Sequence, residues 1–362
     1  MQETGVYGRW QRPESWRRPG RVTLANVPAV EPEEPMQAAL LAAGADLAVA
    51  PLRDPDGSVN PGVAESDVVV SGGTRLGEDV FAALRTTRLL LRPYVGYDDI
   101  DVDAASRHGV LVANVPDAIA EDVANQAMAL ILAANRELLR LDRFVRDGEW
   151  ARIRQRKPDS MTLHRPSVQT LGFVGFGTIA RATARRARAF GYQLVAADPY
   201  VPAEVAEEEG VELVALEDLL GRSDVVSVHT FLSDETHHLI DSARLGMMKS
   251  TAWLVNTARG KLVDEEALVA ALRAGRIAGA ALDVMEQEPL DPQSQLIGMD
   301  NVILCPHVGG YSEEGILQLR KRGAEIALQV ALGGLPERKV VVNKGLYDEL
   351  AGLPELVGVP RP

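Results

Sequence analysis

Three polar side chains in the second half of the chain follow short apolar runs that read as strands. They are Arg259, Glu288 and His307. The carboxyl ends of parallel strands open onto one crevice, so groups that are far apart in sequence can converge there. The pattern therefore predicts one site that contains a guanidinium, a carboxylate and an imidazole.

These side-chain types suit the reduction of a 2-oxo acid by hydride. The guanidinium fork of Arg259 can bind two oxygens at once, which fits a substrate carboxylate and its neighbouring carbonyl. His307 can donate a proton near neutral pH. A carboxylate such as Glu288 beside it would raise the pKa of the imidazole and keep it protonated.

Each residue alone also has a simpler interpretation. Arg259 fits a surface arginine, His307 a hydrogen-bonded loop histidine, and Glu288 before proline an ordinary turn residue. Residue types and spacing leave both interpretations open.

A glycine turn between two apolar runs predicts a dinucleotide site. Residues 171–198 read as a strand, a turn, a helix and a second strand that ends in an acid. Gly175 permits the tight turn, and Gly177 lets the backbone approach a pyrophosphate. The free amides at the start of the helix, at Thr178 and Ile179, would face the phosphates.

The acid that ends the second strand predicts the cofactor. Asp198 is placed to accept hydrogen bonds from a ribose hydroxyl, and Pro199 and Tyr200 follow it without an arginine that would bind a 2′-phosphate. The sequence therefore favours NAD over NADP.

Composition limits the classes of protein to which this chain can belong. The chain has 362 residues with 38 Lys plus Arg against 51 Asp plus Glu, a formal charge of −13, which argues against nucleic acid or an anionic membrane as partner. Cys305 is the single cysteine, so no disulfide framework is expected within the chain. The chain shows neither a membrane-length apolar run nor a signal-peptide core. We expect a cytoplasmic protein.

Strand and helix signals alternate through both halves of the chain, which predicts an α/β fold with two doubly wound parallel sheets. Between the halves, an apolar periodicity predicts one long helix from about Glu121 to Arg146. The segment Lys339–Leu346 is predicted to be an extended return to the first domain, and residues 1–20 a flexible N-terminal arm.

From about Arg92 to Leu346 the sequence resembles the D-isomer-specific 2-hydroxyacid dehydrogenases, the family of phosphoglycerate dehydrogenase and glyoxylate/hydroxypyruvate reductase. Several specific motifs occur in the family's order: Gly172–Ala180, Ser227–His229, Leu254–Asp264, Gly279–Leu290 and Asn301–Gly310. The resemblance implies a Rossmann NAD-binding domain at residues 118–310, inserted in a flavodoxin-like substrate domain at residues 21–117 and 311–346. It also implies a homodimer.

The resemblance further implies individual roles. Arg259 would bind substrate, His307 would be the acid/base, and Glu288 would be its partner. The substrate carboxylate would meet the backbone amides of Val95 and Gly96. The remaining cofactor contacts would come from His229, Thr230, Thr257, Ala258, Asp283 and Gly309.

The resemblance leaves the substrate open. Tyr94 stands where many relatives have glycine, so it is expected to reshape the pocket beside Val95 and Gly96. The favoured substrate is a small D-2-hydroxy or 2-oxo acid. An NAD-sensing scaffold of the corepressor kind and a dehydrogenase of another small anion, such as phosphite, are alternatives.

The adjacent histidines His237 and His238 are interpreted as part of a solvated turn. Adjacent side chains are expected to point apart, and no Asp/Cys cluster accompanies them in sequence. We expect no metal site.

Overall fold

The structure is a computed structural model that describes residues 8–10, 19–26, 35–151 and 163–353. The chain divides into two compact units. The split unit comprises Met1–Ile119 and Glu313–Pro362, and the central unit comprises Ala120–Ser312.

The strands and helices alternate along most of the chain. The strands are β1 (Arg21–Ala25), β2 (Asp46–Ala50), β3 (Val68–Ser71), β4 (Leu89–Leu91), β5 (Leu111–Ala113), β6 (Thr170–Val174), β7 (Gln193–Ala197), β8 (Glu212–Leu213), β9 (Val225–Val228), β10 (Trp253–Asn256), β11 (Gly279–Leu282) and β12 (Val302–Leu304). The α-helices are α1 (Pro35–Ala42), α2 (Pro61–Ala64), α3 (Glu78–Ala83), α4 (Val102–Arg107), α5 (Ala120–Asn135), α6 (Leu138–Arg146), α7 (Thr178–Ala189), α8 (Ala203–Glu208), α9 (Leu216–Arg222), α10 (Ser242–Met247), α11 (Glu265–Arg273), α12 (Glu313–Ala331) and α13 (Lys344–Ala351).

The sheet of the split unit has five strands in the order β2-β1-β3-β4-β5, and every pair is parallel. This is the flavodoxin-like order. Strands β3, β4 and β5 are wholly buried, as expected for a parallel sheet covered by helices on both faces. Helix α12 returns to this unit and buries Ile326, Ala327 and Val330 in its core.

The sheet of the central unit has seven strands in the order β12-β11-β10-β9-β6-β7-β8, and it too is parallel throughout. The order β8-β7-β6-β9-β10-β11 is that of the Rossmann fold, with β12 added at one edge. The prediction of two doubly wound parallel sheets, one inserted in the other, is confirmed.

The prediction of one uninterrupted helix from Glu121 to Arg146 is wrong. The structure has two helices, α5 and α6, because Glu137 adopts a left-handed conformation with φ of 46° between them. Such a conformation cannot continue an α-helix. The amphipathic pattern runs through the interruption, so periodicity alone did not show it.

Both ends of the split unit differ from the expectation. Much of the predicted arm, residues 1–7 and 11–18, lies outside the described residues, but Trp10 is 1% exposed and its indole donates to the Gly109 carbonyl at 3.0 Å. A flexible arm is therefore wrong for this position. At the other end, Val341 bridges to Ala113 as an extended return requires, whereas Lys344–Ala351 is helical.

None of the described helices is both long and apolar enough to cross a membrane.

Candidate active site

The predicted glycine turn joins β6 to α7. Gly175 has φ of +87°, and a Cβ there would lie 2.6 Å from the backbone nitrogen of Thr230. Both the conformation and the close approach of two backbones require glycine. The turn is thereby packed against the segment that leaves the neighbouring strand β9.

The N-terminus of α7 is suited to an anion. Gly177 is its N-cap, and no side chain from the described residues caps it. A Cβ at Gly177 would meet nothing within 4 Å, so there is space over the first-turn amides of Thr178 and Ile179. Unpaired amides and the helix dipole together favour a phosphate at such a position.

Asp198 lies directly after β7 and beside the glycine turn. Its carboxylate accepts from the Phe176 amide at 2.8 Å and from the Tyr200 amide at 2.9 Å. A carboxylate oxygen has more than one lone pair, so these bonds leave acceptor capacity for a ribose hydroxyl. The same negative charge disfavours a 2′-phosphate.

His229 and Thr230 continue from β9 past the glycine turn. The His229 ring nitrogen Nε2 is 2.8 Å from the Ser227 hydroxyl, and its ring centroid is 5.7 Å from that of Phe173. Burial lowers the pKa of His229 to about 4, so the imidazole is neutral at physiological pH. His229 is therefore unsuited to donate a proton as an imidazolium.

Arg259 lies on a short loop that follows β10. The Asn256 side chain holds this loop, because its amide donates to the Arg259 carbonyl at 2.8 Å and its oxygen accepts from the Ala258 amide at 3.0 Å. Asn256 is 1% exposed, whereas Arg259 is half-buried. Between them, the Thr257 hydroxyl is buried and makes no hydrogen bond with any described residue.

Gly260 brings this loop against the segment after β11. A Cβ at Gly260 would lie 1.8 Å from the Met285 carbonyl oxygen, so the two backbones touch where a side chain would stand. Met285 in turn donates its amide to Glu288 Oε1 at 3.1 Å. One backbone contact thus connects the arginine loop with the segment that positions Glu288.

His307 and Glu288 form a hydrogen-bonded pair. His307 Nδ1 is 2.7 Å from Glu288 Oε2, and the His307 side chain is 48% exposed. Because Nδ1 is engaged with the carboxylate, Nε2 is the ring nitrogen left for an incoming molecule.

The pair shifts both pKa values in the direction that keeps a proton on the imidazole. The hydrogen bond to Glu288 raises the pKa of His307 above its ordinary value, although burial opposes this. Burial raises the pKa of Glu288, but the hydrogen bonds from His307 and the Met285 amide and the nearby positive charges outweigh it, so the pKa of Glu288 is lowered. The arrangement suits a general acid that also works as a base.

The backbone around His307 is held by Asp283, which is 1% exposed. The Asp283 carbonyl accepts from the His307 amide at 2.7 Å. Its carboxylate accepts from Val308 at 3.1 Å and from Gly309 at 2.8 Å. The resemblance implies that Asp283 contacts the nicotinamide carboxamide, which stays a prediction. The structure shows that Asp283 orients the histidine loop.

The predicted substrate loop lies in the split unit, after β4. Arg92, which is 2% exposed, closes it by an ion pair with Asp99 at 2.7 Å. The Val95 carbonyl accepts from the Asn114 side chain at 2.6 Å. Neither the Val95 nor the Gly96 amide donates a hydrogen bond within the described ranges, so both have donor capacity for a carboxylate.

Two features that position the site were not predicted from the sequence. Asn256 and the backbone-bracing function of Asp283 emerged only from the structure. Both residues sit at the carboxyl end of a buried strand, and a polar residue at that place is the signal that could have indicated them.

The prediction about His237 and His238 is wrong in its geometry. Their rings stack with centroids 4.0 Å apart instead of pointing apart, and Glu286 lies beside them.

The sequence model described as "D-isomer specific 2-hydroxyacid dehydrogenase, NAD binding domain" matches residues 128–309. A protein named glyoxylate reductase from Korarchaeum cryptofilum is 41% identical over 279 residues, which are 77% of this chain and 83% of that protein. A D-3-phosphoglycerate dehydrogenase from Methanocaldococcus jannaschii is 40% identical over 280 residues, covering 77% of this chain and 52% of that protein.

Among solved structures, the D-lactate dehydrogenase of Aquifex aeolicus, complexed with NAD and lactic acid, has a similar fold. The TM-score is 0.75 at 27% identity, over 94% of this chain and 100% of that chain.

The contact at Gly260 is open to a direct test. Gly260→Ala would push a methyl group into the Met285 carbonyl, and since both partners are backbone, we expect a loss of about 3 kcal/mol in the free energy of unfolding. Gly246→Ala is the matched control. Gly246 lies in α10 with nothing within 4 Å of its Cβ position, so alanine should stabilise that helix by about 0.5–1 kcal/mol. Denaturant unfolding measures both, and equal stability of the two variants would contradict the close contact.

Proposed function

The chain belongs to the D-isomer specific 2-hydroxyacid dehydrogenase family, and from this premise we propose that it is an NAD-dependent oxidoreductase that interconverts a small D-2-hydroxy acid and its 2-oxo acid. The observation that carries the proposal is the pair of His307 and Glu288, in which Nδ1 and Oε2 lie 2.7 Å apart. The His307 side chain is 48% exposed. A positioned imidazole of raised pKa is what proton transfer to a carbonyl oxygen requires.

Several features of the central unit fit a bound NAD. Gly177 leaves space over the N-terminus of α7, and Asp198 places a carboxylate beside the glycine turn. The buried Thr257 hydroxyl without a partner among the described residues suits a polar group of the cofactor. We propose that these residues, with Ile179, His229, Thr230, Ala258, Asp283 and Gly309, hold NAD.

His307, Glu288 and Arg259 have separate roles in the reduction. When bound, NADH supplies the hydride for the carbonyl carbon. His307 donates its proton from Nε2 to the carbonyl oxygen, while Glu288 holds Nδ1 and stabilises the imidazolium. Arg259 polarises the same oxygen and binds the substrate carboxylate. In the oxidation direction His307 accepts the proton from the hydroxyl.

The substrate proposal combines the relatives with the loop of the split unit. Relatives of this chain are named glyoxylate reductases, so glyoxylate is the first candidate. We propose that the Val95 and Gly96 amides receive a carboxylate and that Tyr94 limits the size of the substrate. The Arg320 guanidinium lies 6.0 Å from the Tyr94 ring centroid, which favours one orientation of the ring.

We also propose a homodimer through the central unit. Helix α6 exposes Leu138 and Leu139 to 58% and 50%, and Trp150 beyond it is 61% exposed. Large apolar side chains concentrated on one surface segment are typical of an interface, and sedimentation velocity tests this assembly.

Turnover of 2-oxo acids tests the proposed reaction. We expect the protein to consume NADH with glyoxylate or another small 2-oxo acid, and His307→Ala to lower kcat by about 10²–10⁴-fold because it removes the proton donor. NADH binding should persist, since His307 lies outside the glycine turn. The assay follows NADH absorbance over glyoxylate, hydroxypyruvate, phosphohydroxypyruvate and bulkier acids.

The control for this variant is His108→Ala, which removes another histidine paired with a glutamate and should retain full activity. A fully active His307→Ala enzyme would refute the acid/base assignment. Silence of the wild type across the panel with NADH still bound would favour a scaffold or a different small anion such as phosphite.

The pH profile tests the role of Glu288. Reduction needs a protonated His307, so kcat/KM falls as pH rises through the pKa of that residue. Glu288→Gln removes the interaction that raises this pKa, so the fall should begin at lower pH, and the reduction rate at neutral pH should drop by about tenfold. Glu78→Gln, which alters the carboxylate beside His108, should leave the profile unchanged. Identical profiles for Glu288→Gln and wild type would contradict the pairing.

The preference for NADH over NADPH tests the proposed role of Asp198. We expect the wild type to prefer NADH, because a 2′-phosphate would meet the Asp198 carboxylate. Asp198→Asn keeps an acceptor for the Phe176 amide and removes the charge, so the ratio of kcat/KM for NADH over NADPH should fall by about tenfold or more. Glu204→Gln, an exposed acid on α8, is the control. A wild type that prefers NADPH would overturn the interpretation of Asp198.

A further inference from the structure

Two histidines and a glutamate converge outside the proposed active site. His237, His238 and Glu286 bring their potential ligand atoms within 4.8 Å of one another. His238 Nε2 lies 2.9 Å from Glu286 Oε1, and the His237 and His238 rings stack at 4.0 Å. Across the described residues, this is the one group of three such side chains with that spacing.

The backbone holds His238 in place. His238 has φ of 51°, a left-handed conformation that is uncommon for a residue with a side chain, and its amide donates to the Lys261 carbonyl at 2.8 Å. Non-glycine residues in this conformation persist where the surroundings impose it. The histidine is therefore fixed beside Glu286 by the loop that follows Arg259.

Glu286 is anchored on its other side by α11. Its Oε2 accepts from the Glu265 amide at 3.2 Å, while its own amide donates to Glu265 Oε2 at 3.2 Å. A carboxylate that is oriented by a backbone amide on one oxygen keeps the other oxygen available. The hydrogen bond from the Glu265 amide is the kind of support that metal-binding carboxylates have in proteins.

We propose that His237, His238 and Glu286 form a binding site for a divalent late transition metal, with Zn²⁺ as the representative ion. Two imidazoles and one carboxylate suit Zn²⁺, Co²⁺ or Ni²⁺, whereas Mg²⁺ and Ca²⁺ prefer oxygen ligands. Three protein ligands leave a fourth tetrahedral position for water.

Binding requires a modest rearrangement. The metal replaces the hydrogen bond between His238 Nε2 and Glu286 Oε1, and the His237 ring turns out of its stack toward the ion. His237 is exposed and His238 and Glu286 are half-buried, so the rings can turn at the surface without opening the core. The ion then ties the turn after β9 to the segment after β11.

The site is independent of the proposed reaction, because none of its three side chains is assigned to substrate or cofactor. The metal is therefore measured by binding and not by turnover. A failure of the dehydrogenase proposal would leave the binding result intact, and the reverse also holds.

Zn²⁺ titration of chelator-treated protein in competition with a chromophoric chelator tests the site. We expect one equivalent to bind with micromolar affinity, and His237→Ala and Glu286→Gln each to weaken binding by at least about tenfold because one ligand is lost. Co²⁺ should give visible absorption of tetrahedral intensity in the wild type and lose it in both variants. Excess Zn²⁺ should also raise the Tm of the wild type by several degrees.

The matched control is His108→Ala. His108 likewise pairs with a glutamate, Glu78, with 2.6 Å between Nε2 and Oε1, but it has no second histidine in a described metal group. Its loss should leave Zn²⁺ affinity unchanged. The Tm values of the three variants in chelator verify that each is folded. Wild-type binding only at millimolar Zn²⁺, or equal affinity in wild type, His237→Ala and Glu286→Gln, would overturn the proposal.

Discussion

Backbone hydrogen bonds between the ends of three neighbouring strands hold the proposed catalytic groups. The Asp283 amide donates to the Asn256 carbonyl at 2.9 Å, and the His307 amide donates to the Asp283 carbonyl at 2.7 Å. The last residue of β10 and residues that follow β11 and β12 are thereby connected in a row. Buried backbone polar groups must find partners, and this row extends the backbone pairing of the sheet past the strand ends. The side chains of Asn256 and Asp283 then shape the loops on either side.

Close backbone contact gives this region its second constraint. At Gly175 and Gly260 a Cβ would overlap backbone atoms of a neighbouring segment, so each glycine permits an approach that other residues would prevent. The first contact places the glycine turn against Thr230, and the second places the arginine loop against Met285. These two contacts thus set positions within the site through backbone packing. Proton transfer and hydride transfer both depend on such positioning.

The histidines of the central unit show how environment decides chemistry. Burial lowers the pKa of His229 to about 4, while the hydrogen bond to Glu288 raises the pKa of His307. One imidazole is neutral and packs beside the glycine turn, and the pKa of the other is shifted toward the protonated form. His237 and His238 have a third environment, in which neighbouring rings and a carboxylate face one another. Residue type alone does not distinguish these cases.

Local features of the sequence predict the two-sheet fold and the glycine turn, and together with the family motifs they indicate the groups proposed for catalysis. Apolar runs, glycine spacing and the acid at Asp198 are local signals, and such signals can be recognised in the sequence without tertiary information. Tertiary structure alone decided the break at Glu137, the packing of Trp10, the bracing by Asn256 and Asp283, and the approach of Glu286 to His238. Each of these depends on a backbone conformation with no clear local signature or on contacts between segments separated in the chain. Those contacts depend on how separate segments pack together, and periodicity along one segment carries no information about them.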